Sequence, residues 1–344
     1  MTGRSIRQEF VDWCRSARDE LLTVPQDAEH AECLELWGLD DAGLDRLAGA
    51  ERVIVSLPHA SPNIFFPRVG VCWYARHLQD QESSAVHLRI ALPHVNFADL
   101  GWRPYAWWLL DAEGHLVRQT LFTRNKKAKH TVVSSRPALL EVPERACGTD
   151  REAARLALRA ADRAGSHLLI MATVERAAGL AMPGRTVYLP LDLVVRFFRD
   201  ARERPEAQDY LPWVAELLAD GAGARELTDE GRLEPATDPW QAYVLDNPSN
   251  IALLSLLSST AVIGGAKMAG YWGKVERRVA IASARSGVTA SLPAVLLLPK
   301  ADYSRFVAPS SMLAEELVIA GIDYSQGMAL SEHGNFAARL NPFA

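Results

Sequence analysis

The chain has 344 residues, 49% hydrophobic and 23% charged, with a formal net charge of −5. Those proportions are those of a globular protein and exclude a disordered one, which lacks the apolar surface to offset chain entropy. The start MTGRSIRQEFVDWC has no apolar run before a small-residue cleavage site, so no secretory signal is expected. Cys14, Cys33, Cys72 and Cys147 form no CxxC pair and read as reduced thiols of a cytoplasmic protein.

The charge is unevenly spread. Residues 1–50 carry five Arg against eleven acids, and residues 205–240 two Arg against nine, leaving +8 for the remainder. Lysine is scarce: Lys126, Lys127, Lys129, Lys267 and Lys274 are five of only six.

In chain order, Ile6, Phe10, Trp13, Ala17 and Leu21 recur at helical spacing and predict an amphipathic helix over residues 5–23. Two short helices are expected over residues 29–49. Together residues 1–50 read as an acidic helical arm. From Arg52 the apolar period becomes two. Val53–Leu57, Val69–Tyr74, Ser84–Leu92, Thr131–Ser134 and Leu139–Val142 read as strands. Residues 104–122 read as a hairpin around Asp111-Ala112-Glu113-Gly114. Residues 51–147 are therefore expected to be an antiparallel β-rich domain, with its strands at about 51–143.

Residues 148–344 read as a mixed α/β domain. Helices are expected at Thr149–Ala164, Leu191–Arg202, Tyr210–Leu218 and, at the C-terminal side, Met312–Ala320. Strands are expected at His167–Val174, Val187–Leu189 and Leu292–Leu298. The acidic, glycine- and proline-containing segment 205–240 reads as a loop-rich insertion. The fold class is thus α+β: a helical arm, an antiparallel region and an α/β region with a C-terminal helix.

The stretch Asp246–Gly287 draws the functional reading. Asp246 or Asn247 can cap a helix with Pro248 at its first position. Residues 248–266 carry no charge, but Ile251–Ala266 is shorter than the ~20 residues of a membrane span and contains Ser255, Ser258, Ser259 and Thr260. A buried helix is expected, with no membrane partner. Gly264-Gly265 would break it, and a flexible basic segment would follow. A phosphate loop fails there, because Met268 stands where its glycine is needed and Val275 follows Lys274 where Ser or Thr is required. GxGxxG, HExxH and GxSxG are absent. Ser331-Glu332-His333 are neighbours in sequence, whereas triads converge in space. No catalytic residue, metal site or cofactor is expected.

Two cationic groups remain. Arg124, Lys126, Lys127 and Lys129 crowd one loop, where like charges favour exposure. Lys267, Lys274, Arg277 and Arg278 surround Tyr271 and Trp272, a mixture of cations and rings that suits a nucleic-acid strand. The expected function is a non-catalytic assembly subunit of a bacterial or phage complex. It would bind copies of itself, other subunits, or nucleic acid such as RNA through these basic segments. Opposed charge on one chain favours head-to-tail contact. This layout is shared by many assembly subunits, viral shell proteins among them, with no motif behind the analogy. The alternative is an enzyme with a cleft between the two halves, lined by His87, His94, Asp99, Glu175 or His333.

Overall fold

A computed structural model of the chain describes residues 5–21, 30–56, 72, 75–76, 78–91, 106–110, 116–120, 172, 181–229, 233–257, 260–264 and 266–297. The strands are β1 (Arg52–Ser56), β2 (Ala85–Ala91), β3 (Ala106–Leu110), β4 (Leu116–Thr120), β5 (Thr186–Pro190), β6 (Arg225–Leu227), β7 (Leu233–Pro235), β8 (Thr260–Gly264) and β9 (Ala294–Leu297). The helices are α1 (Ile6–Leu21), α2 (His30–Trp37), α3 (Asp41–Gly49), α4 (Leu191–Asp200), α5 (Leu211–Ala219), α6 (Asn247–Leu254) and α7 (Ala266–Ser286).

Five strands form one sheet in the order β5-β2-β1-β8-β9. Every neighbouring pair in it is parallel. This corrects the antiparallel reading of β1 and β2. The reason lies in what covers them. Val53, Ile54, Val55 and Ser56 are all buried, the mark of a strand covered on both faces, as parallel strands are. In β2, Val86, Leu88 and Ile90 alternate with His87 and Arg89, which imitates a strand with one wet face. Both polar residues are nevertheless buried. The sheet takes strands from both sides of residue 147. The expected hairpin is present, as β3 and β4 pair antiparallel from Ala106–Thr120 to Leu110–Leu116. The segment read as strand 69–74 is helical at Cys72, and helix recurs at residues 75–76 and 78–81. Ala172, inside an expected strand, is also helical.

The uncharged run after Asp246 is not one helix. Asp246 caps α6, its side chain accepting from the Ser249 N–H at 3.0 Å, with Pro248 in the first turn as expected. The helix stops at Leu254, one 3-10 turn spans Ser255–Leu257, and the chain enters β8. Thr260, Val262 and Ile263 are β-branched and prefer the extended form. A strand buried on both faces and a buried helix look alike in composition, which hid the change. The basic segment that follows is a regular helix of 21 residues, α7, rather than a flexible one.

The N-terminal segment is not an extended arm. Phe10, Val11 and Cys14 of α1 are buried in the common core, as are Cys33, Leu34, Leu36 and Trp37 of α2. Phe10 meets Phe197 of α4 edge-on at 5.1 Å, and Phe197 meets Phe198 at 4.9 Å. Tyr210 donates to Glu9 at 3.1 Å, and Trp13 Nε1 donates to Asp200 at 3.2 Å. Much of the acidic outer face is answered locally. Arg15 pairs with Asp12, Asp41 and Asp45, and Arg18 with Asp41.

Helix α4 follows β5 without a loop and buries Leu191, Val194, Val195 and Phe198, as its spacing predicts. In the acidic segment, α5 and the hairpin β6–β7 are ordered elements, and Arg225 N–H donates to Val244 at 2.9 Å to tie the hairpin to the chain before α6. The expected elements at 131–134, 139–142, 149–164 and 312–320 lie outside the described residues.

Candidate functional site

Strand order decides where this sheet is open. The chain goes from β1 outward to β2 and β5, returns across the sheet to β8 beside β1, and continues outward to β9. At the carboxyl ends of β1 and β8 the strand order reverses. Ligands of open parallel α/β sheets occupy that position.

Ser56, Gly264 and the start of α7 lie at these strand ends. Ser56 is the last residue of β1, and its register partner on β8 is Ile263, one residue before Gly264. After Gly264 a single residue separates the strand from α7. The amino end of a helix of this length carries unsatisfied N–H groups and a partial positive charge. Its first turn contains no acid. Its second residue is Lys267, a cation where the dipole favours an anion.

At the carboxyl end of β1 lies a polar cluster inside the sheet. Ser56 Oγ and His87 Nε2 are hydrogen-bonded at 2.8 Å, with the proton's side set by the imidazole tautomer. Ser56, His87 and Arg89 are all at most 2% exposed. Arg89 stands opposite Ser56 on one side and Tyr188 on the other in register. Among the described residues His87 Nδ1 has no hydrogen-bond partner. Burial, and then the charge of Arg89, push the imidazole down to about 3, so it is neutral at pH 7. The pair ties the end of β1 to β2 within the sheet.

A second carboxyl-end group is Asp192, the second residue of α4, directly after β5. Burial raises its carboxyl to about 6, against the opposing pull of its own backbone N–H and of Arg196. Tyr243 feels the Asp192 charge, although burial is the larger cause of its raised phenol. Ser56, Arg89 and Asp192 were not singled out from the sequence. The only signal for them was polarity inside strand-like apolar runs.

The residues expected to bind nucleic acid are placed differently from one another. Arg124, Lys126, Lys127 and Lys129 lie outside the described residues. Lys267 begins α7. Tyr271 and Trp272 are half-buried and pack against the core, and burial pushes the Tyr271 phenol up to about 12. Arg278 turns inward: it bonds Asp246 and Ser249 and ties α7 to the cap of α6. Lys274 and Arg277 are exposed on the outer face of α7, and neither has an ion-pair partner among the described residues. The basic stretch therefore splits into one cation in the first turn of α7, one locked in a cap, and two facing solvent. Of the residues expected to line a catalytic cleft, only His87 is described, and it is inside the sheet.

Among the described residues no group of three or more His, Cys, Asp or Glu could hold a metal ion, and no helix is long and apolar enough to cross a membrane. Compared with protein-family models, curated proteins and solved structures, the chain matches none.

Proposed function

We propose that this protein binds a small phosphate-bearing anion in the crevice between the carboxyl ends of β1 and β8, at the amino end of α7. The observation that carries this reading is the reversal of strand order in a wholly parallel sheet. The argument is one of fold, so it locates a ligand and assigns no reaction. The positive end of α7 and Lys267 supply the complementary charge. The glycine fingerprints of dinucleotide and P-loop sites are absent, so the ligand is named only by its phosphate.

The test is thermal unfolding with ATP, NAD and inorganic phosphate as probes. A ligand at 100 times its Kd stabilises the folded state by about 2.7 kcal/mol, which raises Tm by several degrees. Lys267→Glu should abolish the shift. The substitution places an acid in the first turn of a helix, where it is favourable, so loss of binding is separable from loss of fold. No shift with any of the three probes, or an equal shift in the variant, would sink the assignment.

A second reading is favoured by a separate observation, the exposed pair Lys274 and Arg277 on α7. It is the one expected from the sequence: an assembly subunit of a bacterial or phage complex that self-associates or binds nucleic acid. Nucleic-acid binding would fall steeply with salt, and Lys274→Ala with Arg277→Ala would lower that slope by about two counterions. An unchanged slope would remove α7 from the contact.

A further inference from the structure

We propose that the outer face of α7 is one half of a self-complementary interface, on which a second copy of this chain docks with the acidic surface around α5. This rests on the self-association reading above and supplies its geometry. The outer face of α7 carries Gly270, Gly273, Lys274, Glu276, Arg277, Ala280, Ala284 and Arg285, all exposed. Lys274 and Arg285 are roughly three turns apart and so share one flank, with Arg277 beside them. The face is cationic, with Glu276 as its one acid.

The complementary surface is next to it. Helix α5 packs along α7, with Trp213 Nε1 donating to Ser283 at 3.0 Å and Arg285 pairing with Glu216 at 3.5 Å. Around α5 lie exposed Glu203, Glu206, Asp209 and Asp220. The exposed cation of this surface is Arg202. Arg202 is held over the Trp240 ring at 5.0 Å, and Arg285 is engaged by Glu216. A basic strip thus adjoins an acidic one. Two such patches meet face to face about a two-fold axis, each basic strip on the other copy's acidic strip. This geometry differs from the head-to-tail contact expected from charge in sequence, because the folded chain brings the two strips side by side.

The glycines agree with this use. Gly270 and Gly273 lie inside an exposed helix, where glycine is less favourable than alanine. A Cβ at either position would meet no atom within 4 Å, and neither has a positive φ. Among the described residues nothing requires them, and an exposed helix face without side chains lets another backbone approach closely.

The experiment is sedimentation equilibrium of the full chain at low and high salt, with absorbance at 260 and 280 nm. The expected result is a dimer that weakens with salt. Lys274→Glu with Arg277→Glu in one protein should weaken association at least tenfold, as should Asp209→Lys with Asp220→Lys in another. Mixing the two reversed proteins should restore dimers, because both strips of the mixed pair are again complementary. Gly273→Leu should weaken association while leaving the thermal midpoint of the monomer the same or higher. A wild-type chain that stays monomeric at low salt, or dimers indifferent to the reversals, overturns the proposal. So does an open-ended series of larger species, which would mean head-to-tail contact, or a monomer that carries nucleic acid on α7. Lys267→Glu should remain dimeric, so failure here and failure of the crevice reading are told apart.

Discussion

Lowering the pH should destabilise this protein through His87, and the size of the effect follows from its burial. The imidazole is 1% exposed, and burial with Arg89 hold it near 3, against 6.5 in an open chain. The unfolded chain therefore binds a proton between these two values and the folded chain does not. The stabilisation is complete above pH 6.5 and is lost as pH falls toward 3. Each unit of that window is worth up to about 1.4 kcal/mol, so the drop from pH 7 to pH 4.5 removes about 2.7 kcal/mol. That is a large part of the ~5–15 kcal/mol stability of a typical domain. Asp192 works the other way. Its carboxyl, raised to about 6, gains protons more readily when folded, so it adds stability as pH falls through 6 toward the unfolded value of 3.8. A comparison with His87→Gln separates the two, because Asp192 is common to both proteins. The assay is urea unfolding at pH 7 and pH 4.5. The wild type should lose about 2.7 kcal/mol more than the variant between the two pH values. Equal losses would show that His87 is not buried neutral, and the polar cluster inside the sheet would be wrong.

Other substitutions test the packing that positions the crevice. Asp246→Ala removes the cap of α6 and strands Arg278, so it should destabilise by about 1–3 kcal/mol in urea. Asp246→Asn should recover the cap share of that loss and leave the ion-pair share. Phe197→Ala leaves a cavity where α1, α4 and Tyr210 meet and should cost about 3–5 kcal/mol by thermal or urea unfolding. A loss below about 1 kcal/mol would mean that α1 does not pack there, and the N-terminal segment would be an arm after all.

Local features were legible in the sequence and long-range ones were not. The Asp246 cap, the run from β5 into α4, α5, β9 and the β3–β4 hairpin each follow from a few adjacent residues. Strand direction does not, because it depends on what covers a strand rather than on the strand itself. His87 and Arg89 look solvent-facing because polar residues usually are. Here Ser56 satisfies part of the polarity of His87. The uncharged run after Pro248 concealed a strand for a related reason: helix and strand alike read as apolar when buried on all sides. At the candidate site, sequence supplied the cations but not their directions. Arg278 and Arg277 are neighbours, yet one bonds Asp246 and the other faces solvent. Helical rotation of about 100° per residue separates them.

The most direct test of the account is isothermal titration of the full chain with ATP and with inorganic phosphate, repeated on Lys267→Glu. The account predicts saturable one-to-one binding of at least one probe by the wild type, and none by a variant that melts at or above the wild-type temperature. Absence of binding by the folded wild type, or binding unchanged by the reversed charge, would contradict the placement of a ligand where the strand order reverses.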